Sequence, residues 1–318
     1  MARFDDFIPR GVIPATLLAF HDDFSIDEPS TRAHLRHVAD VRGISAITVN
    51  AHASEVHACN LDEQRRVLDL TMDEIGDELP VINGVYADGS LEAARIARMA
   101  TEGGASCLLV FPPHTIGMRD GQKRPEMALA HFRTIADATE LPLIVFQYPD
   151  GYAYPMDTLL QLFDAVPQIR AVKDWNYGPV HERHVRTLQN LPRPINVLST
   201  NSAWLMSSLT MGPNGLLSGS GSVIADLQVA LFEAIQAKDL ARAQRINDQI
   251  YPTAQCFYAS PGADMHNRMK EALVILGRLP RAVVRPPLVK LSEGEIAGIE
   301  KALDDARITR DGAILEAA

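Results

Sequence analysis

Lys173 is the residue whose type and position point most directly to covalent chemistry. It ends the apolar run of residues 169–172, so its side chain is expected to leave a buried strand at that strand's end. Partial burial lowers the pKa of a lysine, and a neutral amine can attack a ketone to form an imine. The alternative is a lysine whose stem packs at the strand end while its ammonium group stays in water.

Other polar and aromatic residues also stand at the ends of apolar runs. Asn50, Phe111, Tyr148 and Ser199 each follow or close such a run. If the runs are parallel strands of one barrel, their carboxyl ends lie at one face, where the active sites of such barrels are found. The ends of these runs are therefore the places where site residues are expected, together with Lys173.

Eight short apolar runs recur along the chain, each followed by a segment with helical spacing. Continuous apolar runs are typical of parallel strands that are covered on both faces. Eight strand–helix units in a chain of this length predict an α/β fold of the (β/α)8 TIM barrel type, whereas a doubly wound sheet usually has fewer strands. The predicted strands are residues 11–17, 44–49, 81–85, 107–111, 143–146, 169–173, 195–198 and 215–217.

Apolar residues at helical spacing predict the helices. In the barrel the clearest are residues 61–72, 91–100 and 158–163, with Asp88 and Ser90 as candidate caps of the second. The barrel pattern ends near residue 230. We therefore predict a catalytic (β/α)8 barrel over residues 1–230 and a small C-terminal helical domain over residues 231–318. Helices of the second domain are predicted at residues 229–237, 240–251, 265–277 and 293–303.

The composition narrows the class of protein. The 318 residues are 47% apolar and carry a net charge of −10, which is ordinary for a globular protein and argues against nucleic-acid or anionic-membrane partners. The N-terminus has no basic segment ahead of an apolar one, and no apolar run reaches the roughly 18 residues of a membrane span. A cytoplasmic location is therefore expected.

Cysteine and histidine patterns give no sign of a metal site. The three cysteines are far apart without a CxxC pair, which argues against a disulfide framework or structural zinc. His34, His37, His181 and His184 fall at helical spacing on predicted surface helices, and no third ligand is evident. No metal is expected.

Segments spread over nearly the full length resemble the dihydrodipicolinate synthase/N-acetylneuraminate lyase family. The loop at residues 49–55 stands where that family has a Gly-Thr-Thr-Gly-Glu-type sequence, and residues 171–174 stand where it has its Ile-Lys-Glu/Asp lysine. The resemblance implies a class I lyase in which Lys173 forms a Schiff base with a 2-oxo acid. The resembling segments are residues 11–16, 49–55, 105–113, 141–149, 171–174, 198–201, 215–218, 273–277 and 285–289.

The loop after the second strand departs from the family pattern. The family binds the 2-oxo acid's carboxylate there through backbone N–H groups and a threonine hydroxyl, but His52 and Ala53 replace its two threonines. The resemblance implies that backbone donors of Ala53 and Ser54 still hold the carboxylate, because backbone donors do not depend on side chains. His52 is a candidate acid/base; the alternative is a histidine that only packs or hydrogen-bonds in the loop.

The proton-transferring tyrosine of the family aligns with Phe146. A phenyl ring cannot transfer a proton. Tyr148 lies two residues later and would share the strand face of Phe146 if the strand continues that far. Tyr148 is therefore our candidate for the missing hydroxyl.

The second substrate is expected to differ from that of dihydrodipicolinate synthases. Those enzymes carry an arginine shortly after the position of Pro149 that holds a distal carboxylate, and residues 150–154 contain none. A bidentate partner for a carboxylate is thus missing, and lysine-pathway synthesis is not expected. His114 and Tyr152 would add to an aromatic and imidazole-lined mouth, which suits an apolar or aromatic aldehyde or a polyol.

The resulting hypothesis is a pyruvate-dependent aldolase that cleaves or forms a 2-oxo acid from pyruvate and an aldehyde. No cofactor is expected, because the imine is itself the electron sink. One alternative is a dehydratase of 3-deoxy-2-oxo sugar acids; another is a non-catalytic 2-oxo acid binding protein. The resemblance also implies a homotetramer built as a dimer of dimers. The predicted catalytic residues are Lys173, Tyr148 and His52, and the predicted substrate contacts are Ala53, Ser54, Phe146, His114, Tyr152 and Leu217.

Overall fold

A ring of parallel strands forms the centre of the protein. The computed structural model describes residue 4, residues 6–149 and residues 151–314. The strands are β1 (Gly11–Pro14), β2 (Ile47–Val49), β3 (Val81–Val85), β4 (Cys107–Val110), β5 (Leu143–Gln147), β6 (Ile169–Asp174), β7 (Asn196–Ser199) and β8 (Gly215–Ser218). They pair in the order β1-β8-β7-β6-β5-β4-β3-β2, and isolated parallel bridges from Val12 to Ile44 and from Ala15 to Thr48 bring β1 next to β2. The predicted (β/α)8 barrel is confirmed.

Helices follow the strands and continue into the C-terminal part of the chain. Around the barrel they are α1 (Glu28–Ala39), α2 (Leu61–Ile75), α3 (Ser90–Glu102), α4 (His114–Gly117), α5 (Pro125–Ala136), α6 (Met156–Ala165), α7 (Gly178–Leu188), α8 (Leu205–Thr210) and α9 (Gly221–Gln236). After them come α10 (Leu240–Phe257), α11 (Met265–Ile275), α12 (Glu293–Asp305) and an antiparallel pair of short strands, β9 (Ile308–Thr309) and β10 (Gly312–Ala313).

The strands are mostly apolar because both faces of the sheet are covered. In β4, Leu109 belongs to the core cluster inside the barrel, whereas Leu108 and Val110 belong to the cluster beneath the helices. In β6, Ala171 belongs to the inner cluster and Val172 to the outer one. Alternate residues of a strand point to the same face, so the side chain of residue 173 faces inward and that of residue 174 faces outward.

The predicted caps of α3 are wrong. Gly89 precedes that helix without a side-chain hydrogen bond to it. The carboxylate of Asp88 instead accepts the N–H of His114 at 2.6 Å, and the hydroxyl of Ser90 lies 3.0 Å from Nδ1 of His131. Tertiary partners thus occupy both side chains that the local pattern assigned to capping.

The C-terminal helices share a core with the barrel. Leu216 of β8, Leu227 of α9 and Leu273 of α11 all belong to the inner cluster. The predicted helix at residues 229–237 is the second half of α9, because residues 221–228 already form the first half. The predicted division at residue 230 therefore falls within a helix, and two separate domains stay a prediction.

The predicted surface position of the histidines is wrong for His34, His181 and His184, which are buried. They lie on the faces of α1 and α7 that pack against the barrel, next to apolar residues with the same helical spacing. Within the described residues, no group of three or more His, Cys, Asp or Glu side chains is arranged to hold a metal ion. None of the described helices is long and apolar enough to cross a membrane.

Candidate active site

Lys173 lies at the carboxyl end of β6 and faces the inside of the barrel. Its neighbours in register are Phe146 of β5 and Leu198 of β7. Only 6% of Lys173 is exposed, and its Nζ lies 3.9 Å from the centroid of the Phe146 ring. The parallel strands therefore hold the amine against an aromatic face at the floor of the barrel mouth.

The amine of Lys173 is poised to react. Burial lowers its pKa from the ordinary 10.5 to about 7. The Phe146 ring attracts the cation, but such an interaction is worth about 0.5–2 kcal/mol, less than the desolvation that produces so large a shift. Near pH 7 the lowered pKa therefore makes a neutral, nucleophilic amine available.

The loop after β2 is a tight turn built around the short 3-10 helix His52–Ser54. Asn50 before it and Glu55 after it both have a φ of 51°, a left-handed conformation that non-glycine residues seldom adopt. Nδ2 of Asn50 donates to the carbonyl of Gln64 and to Oδ1 of Asn83, both at 2.8 Å. These bonds fix the start of the turn beneath the site.

Ala53 and Ser54 have different surroundings within this loop. Ala53 borders the cavity that contains Lys173. Ser54 is engaged elsewhere: its hydroxyl donates to the carbonyl of Thr16 at 2.9 Å, and its N–H donates to the carbonyl of Ala51 at 3.0 Å. Of the two backbone positions predicted to bind a carboxylate, Ala53 is the one that faces the cavity.

Tyr148 and His52 meet across the mouth of the barrel. The Tyr148 hydroxyl lies 2.7 Å from Nε2 of His52. Burial raises the pKa of Tyr148, whereas burial and the nearby Lys173 lower the pKa of His52 well below its ordinary value. The tyrosine is therefore the donor and the neutral imidazole the acceptor, so the two residues form a hydrogen-bonded pair that can pass on a proton.

Aromatic rings surround this pair. The ring centroids of Phe146 and Tyr148 are 4.4 Å apart, and that of His52 lies 4.8 Å from Phe111. Trp175 lies 6.0 Å from Tyr148 and completes the wall above Lys173. The rings add to the burial of the amine, and burial lowers its pKa.

Two adjoining cavities open above these residues. The smaller, of about 30 Å³, contains Lys173, and the larger has a volume of about 730 Å³. Both are bordered by His52, Trp175, Tyr258, Met265 and His266, so the larger one leads to the amine. Aromatic or imidazole rings line much of the larger cavity, from His52, His57, His114, Tyr148, Trp175, Tyr177, Trp204, Tyr258 and His266.

Of the three other predicted substrate contacts, one borders the larger cavity and two border neither cavity. His114 borders the larger cavity and stacks on Tyr152, with ring centroids 5.4 Å apart and an interplanar angle of 11°. Tyr152 itself is not among the described residues that border either cavity. Leu217 is fully buried in the inner core and borders neither cavity.

The C-terminal helices bring residues into the site that sequence reasoning missed. Tyr258, Met265 and His266 border both cavities. Nζ of Lys270 in α11 forms a buried ion pair with Oε1 of Glu55 at 2.5 Å, which joins this helix to the loop after β2. The sequence shows an acidic residue in the loop after β2 and a basic residue in α11, which could have indicated this contact. It does not show that the two charges meet.

Asp174 anchors the outer side of the strand that carries Lys173. Its Oδ2 accepts hydrogen bonds from Nδ1 of His181 at 2.8 Å and from Nδ1 of His184 at 2.9 Å. Burial alone would raise the pKa of Asp174, but the two histidines hold it well below its ordinary value. Nε2 of His181 continues the network to the hydroxyl of Ser208 at 3.0 Å. The end of β6 is thus fastened to α7 and α8.

Comparison with known proteins agrees with this architecture. The chain is 28% identical over 288 residues to the 4-hydroxy-tetrahydrodipicolinate synthase of Haloarcula marismortui, and the alignment covers 89% of each chain. It is 28% identical over 306 residues to an uncharacterized DapA-like lyase of Halobacterium salinarum, covering 93% of each. Both alignments extend over barrel and C-terminal helices alike.

Solved structures show the same fold. A monomeric dihydrodipicolinate synthase variant superimposes with a TM-score of 0.86 at 21% identity, covering 96% of this chain and 99% of the other. YagE from E. coli K12, a protein solved in complex with pyruvate, superimposes with a TM-score of 0.85 at 22% identity and covers 94% of this chain and 98% of its own. The dihydrodipicolinate synthetase family model matches residues 8–306. The chain therefore belongs to the dihydrodipicolinate synthetase family.

Proposed function

We propose that this protein is a class I lyase that cleaves a 2-oxo acid into pyruvate and an uncharged, aromatic or apolar aldehyde, with Lys173 as the Schiff-base residue. The observation that carries the proposal is the buried amine of Lys173, whose pKa is lowered to about 7. It lies at the base of a cavity with room for a second substrate. The pyruvate bound to YagE, a protein of the same fold, supports the choice of 2-oxo acid.

The reaction follows from the chemistry of the imine. The neutral amine of Lys173 attacks the 2-oxo carbon, and uptake of one proton from solvent with loss of water leaves a protonated imine. The C3–C4 bond then breaks: its electron pair moves toward the imine to form an enamine, while the C4 hydroxyl gives up its proton and becomes the aldehyde. Protonation of the enamine at C3 and hydrolysis of the imine release pyruvate and restore Lys173.

Tyr148 and His52 supply the proton transfers in this proposal. As the C4 hydroxyl ionises, Tyr148 accepts its proton and passes its own to Nε2 of His52, 2.7 Å away. The pair then returns the proton to C3 of the enamine. Phe146 occupies the position of the family's tyrosine and lies 4.4 Å from Tyr148, centroid to centroid. Tyr148 thus brings a hydroxyl to the same wall of the site.

The larger cavity supports an uncharged aldehyde. Among the described residues that line it, none is an arginine or a lysine, and Glu55 is the acidic one. A distal carboxylate would therefore enter without a cationic partner, which argues against the substrate of a lysine-pathway synthase. Trp175, Tyr177 and Trp204 offer flat apolar faces on which an aromatic ring can pack.

Reductive trapping tests the proposal. The protein is incubated with pyruvate and borohydride, and the adduct is located by peptide mass spectrometry; the expected result is a stable adduct on Lys173. Lys173→Met should give none, whereas Lys123→Met, at an exposed lysine, should react like the wild type. Absence of an adduct with pyruvate or any longer 2-oxo acid would overturn the proposal.

Turnover separates the proposed lyase from its rivals. Aromatic 4-hydroxy-2-oxo acids should release pyruvate, detected by coupling to a lactate dehydrogenase. A dehydratase would consume a 3-deoxy-2-oxo sugar acid without forming pyruvate. A binding protein would be trapped on Lys173 but would release no product from any of these acids. Either of these results would replace the lyase function while leaving the Schiff base in place.

A further inference from the structure

His266 lies next to the reacting lysine although it belongs to a helix that follows the barrel. It is the second residue of α11, and its imidazole borders both the small cavity with Lys173 and the larger cavity above it. Among the described residues, neither ring nitrogen of His266 has a hydrogen-bond partner. His266 is half-buried and borders both cavities, so this imidazole is accessible to a ligand there.

An ion pair fixes the helix that carries this imidazole. Lys270 follows His266 by four residues and therefore lies on the same face of α11. Its Nζ is paired with Oε1 of Glu55 at 2.5 Å, and Glu55 is two residues beyond Ala53. The ion pair thus holds the His266 face of α11 over the loop that lines the small cavity.

Gly219 makes room for the imidazole. A Cβ atom added at Gly219 would lie 2.7 Å from Nε2 of His266 and 3.7 Å from Cβ of Ala53. The first distance is shorter than real Cβ contacts allow. The φ of Gly219 is not in the left-handed region, so the backbone does not require a glycine here. The missing side chain instead lets Nε2 of His266 reach the space bordered by Ala53.

The chemical state of His266 suits an anionic ligand group. Burial and the nearby Lys173 lower its pKa to about 3, so the ring is neutral near pH 7 and offers one N–H donor and one acceptor. A carboxylate has only acceptors when ionised. It would satisfy the unpaired N–H without placing a second positive charge beside the amine of Lys173.

We propose that His266 donates a hydrogen bond to the carboxylate of the 2-oxo acid held on Lys173, opposite the backbone of Ala53. The inference rests on the proposed function, because it requires a 2-oxo acid at Lys173. It makes α11 part of the substrate-binding site and assigns Gly219 the role of leaving space for the imidazole. The ligand group is the carboxylate common to all 2-oxo acids, so His266 serves binding irrespective of the aldehyde.

Trapping at graded pyruvate concentrations tests this inference. His266→Ala should raise the pyruvate concentration for half-maximal trapping on Lys173 about 10- to 100-fold, as expected for the loss of a hydrogen bond to a charged group. His266→Gln, which keeps an N–H donor near the Nε2 position, should recover part of that loss. Hydroxyacetone, a ketone without a carboxylate, should be trapped equally by the wild type and His266→Ala.

Gly219→Ala provides an independent variant. Its methyl group should displace the imidazole and raise the half-maximal pyruvate concentration, but it should add nothing further in the His266→Ala background. An unchanged pyruvate concentration in His266→Ala, or an equal loss with hydroxyacetone, would overturn the inference while the proposed function stood. A wild-type protein that is not trapped at all would overturn both.

Discussion

Nζ of Lys173 lies 3.9 Å from the centroid of the Phe146 ring, on the adjacent strand and in direct register with it. The resemblance to the family predicts a tyrosine at this position, and a phenyl ring has no proton to give. Its contribution is physical: an apolar face in contact with the amine keeps water away from it. Phe146 therefore helps to set the protonation state of Lys173 rather than to transfer a proton.

The pH dependence of imine formation should report this arrangement. Because the neutral amine is the nucleophile, the rate of trapping with pyruvate and cyanoborohydride should rise with pH and level off above about pH 7, following the lowered pKa of Lys173. Phe146→Ala should move the midpoint upward by about one pH unit or more, because water then reaches the amine. Phe146→Leu, which keeps an apolar contact, is the matched control and should move it less. A midpoint that stays in place in Phe146→Ala would show that other groups desolvate the lysine.

The Tyr148–His52 pair should matter for turnover more than for imine formation. Tyr148→Phe removes the hydroxyl that lies 2.7 Å from Nε2 of His52, and pyruvate release from a cleavable 2-oxo acid should fall about 10²- to 10⁴-fold. Trapping of pyruvate itself should survive. Tyr152→Phe alters a tyrosine outside this pair and should leave kcat within a few fold.

A double variant shows whether the two residues act together. If Tyr148 and His52 form one relay, adding His52→Gln to Tyr148→Phe should cost little beyond the Tyr148→Phe loss, because the relay is already broken. Fully multiplicative losses in kcat would instead assign the two side chains separate roles.

Much of the barrel could be predicted from the sequence because its elements are set by local patterns. Strands covered on both faces are mostly apolar, so β4 and β5 are recognisable in the sequence as the apolar runs at residues 107–110 and 143–146. Lys173 stands out for the same reason, as a charged residue that closes such a run. The prediction of the α3 caps was wrong because Asp88 and Ser90 form hydrogen bonds with residues of other elements. A local sequence pattern does not contain such partners.

The rest of the site depends on contacts between distant segments. His266 enters through the packing of α11 on the loop after β2, and the Glu55–Lys270 pair that holds it joins residues 215 positions apart. The histidines of α7 have the spacing of a polar helix face, yet His181 and His184 are buried because they pack against the Asp174 carboxylate on the outer side of β6. Neither relationship can be inferred from spacing or composition.

Asp174 should contribute to stability in a pH-dependent way. Its ordinary pKa is 3.8, and its value in the folded protein is lower, so the unfolded chain takes up the proton first as pH falls. The contribution is therefore fully present above about pH 5 and is lost as pH drops below 4. Asp174→Asn should lower the free energy of unfolding by about 3 kcal/mol at pH 7, with a smaller deficit at pH 3.5. Urea unfolding measures both, and Asp164→Asn, at an exposed aspartate, should have little effect at either pH. A deficit that does not change with pH would show that hydrogen-bond geometry, not charge, is what Asp174 supplies.

The Glu55–Lys270 ion pair should show strong coupling between the barrel loop and α11. Both side chains are almost fully buried, at 2% and 1% exposure, so removing one partner leaves the other charge without compensation. Lys270→Met should therefore cost about 3–5 kcal/mol of the free energy of unfolding. The double variant Glu55→Gln, Lys270→Met should be more stable than Lys270→Met alone, because no buried charge remains. Urea unfolding of the four proteins gives the coupling energy directly. Additive losses would mean that the two charges are solvated separately, and α11 would then need another contact to hold it over the site.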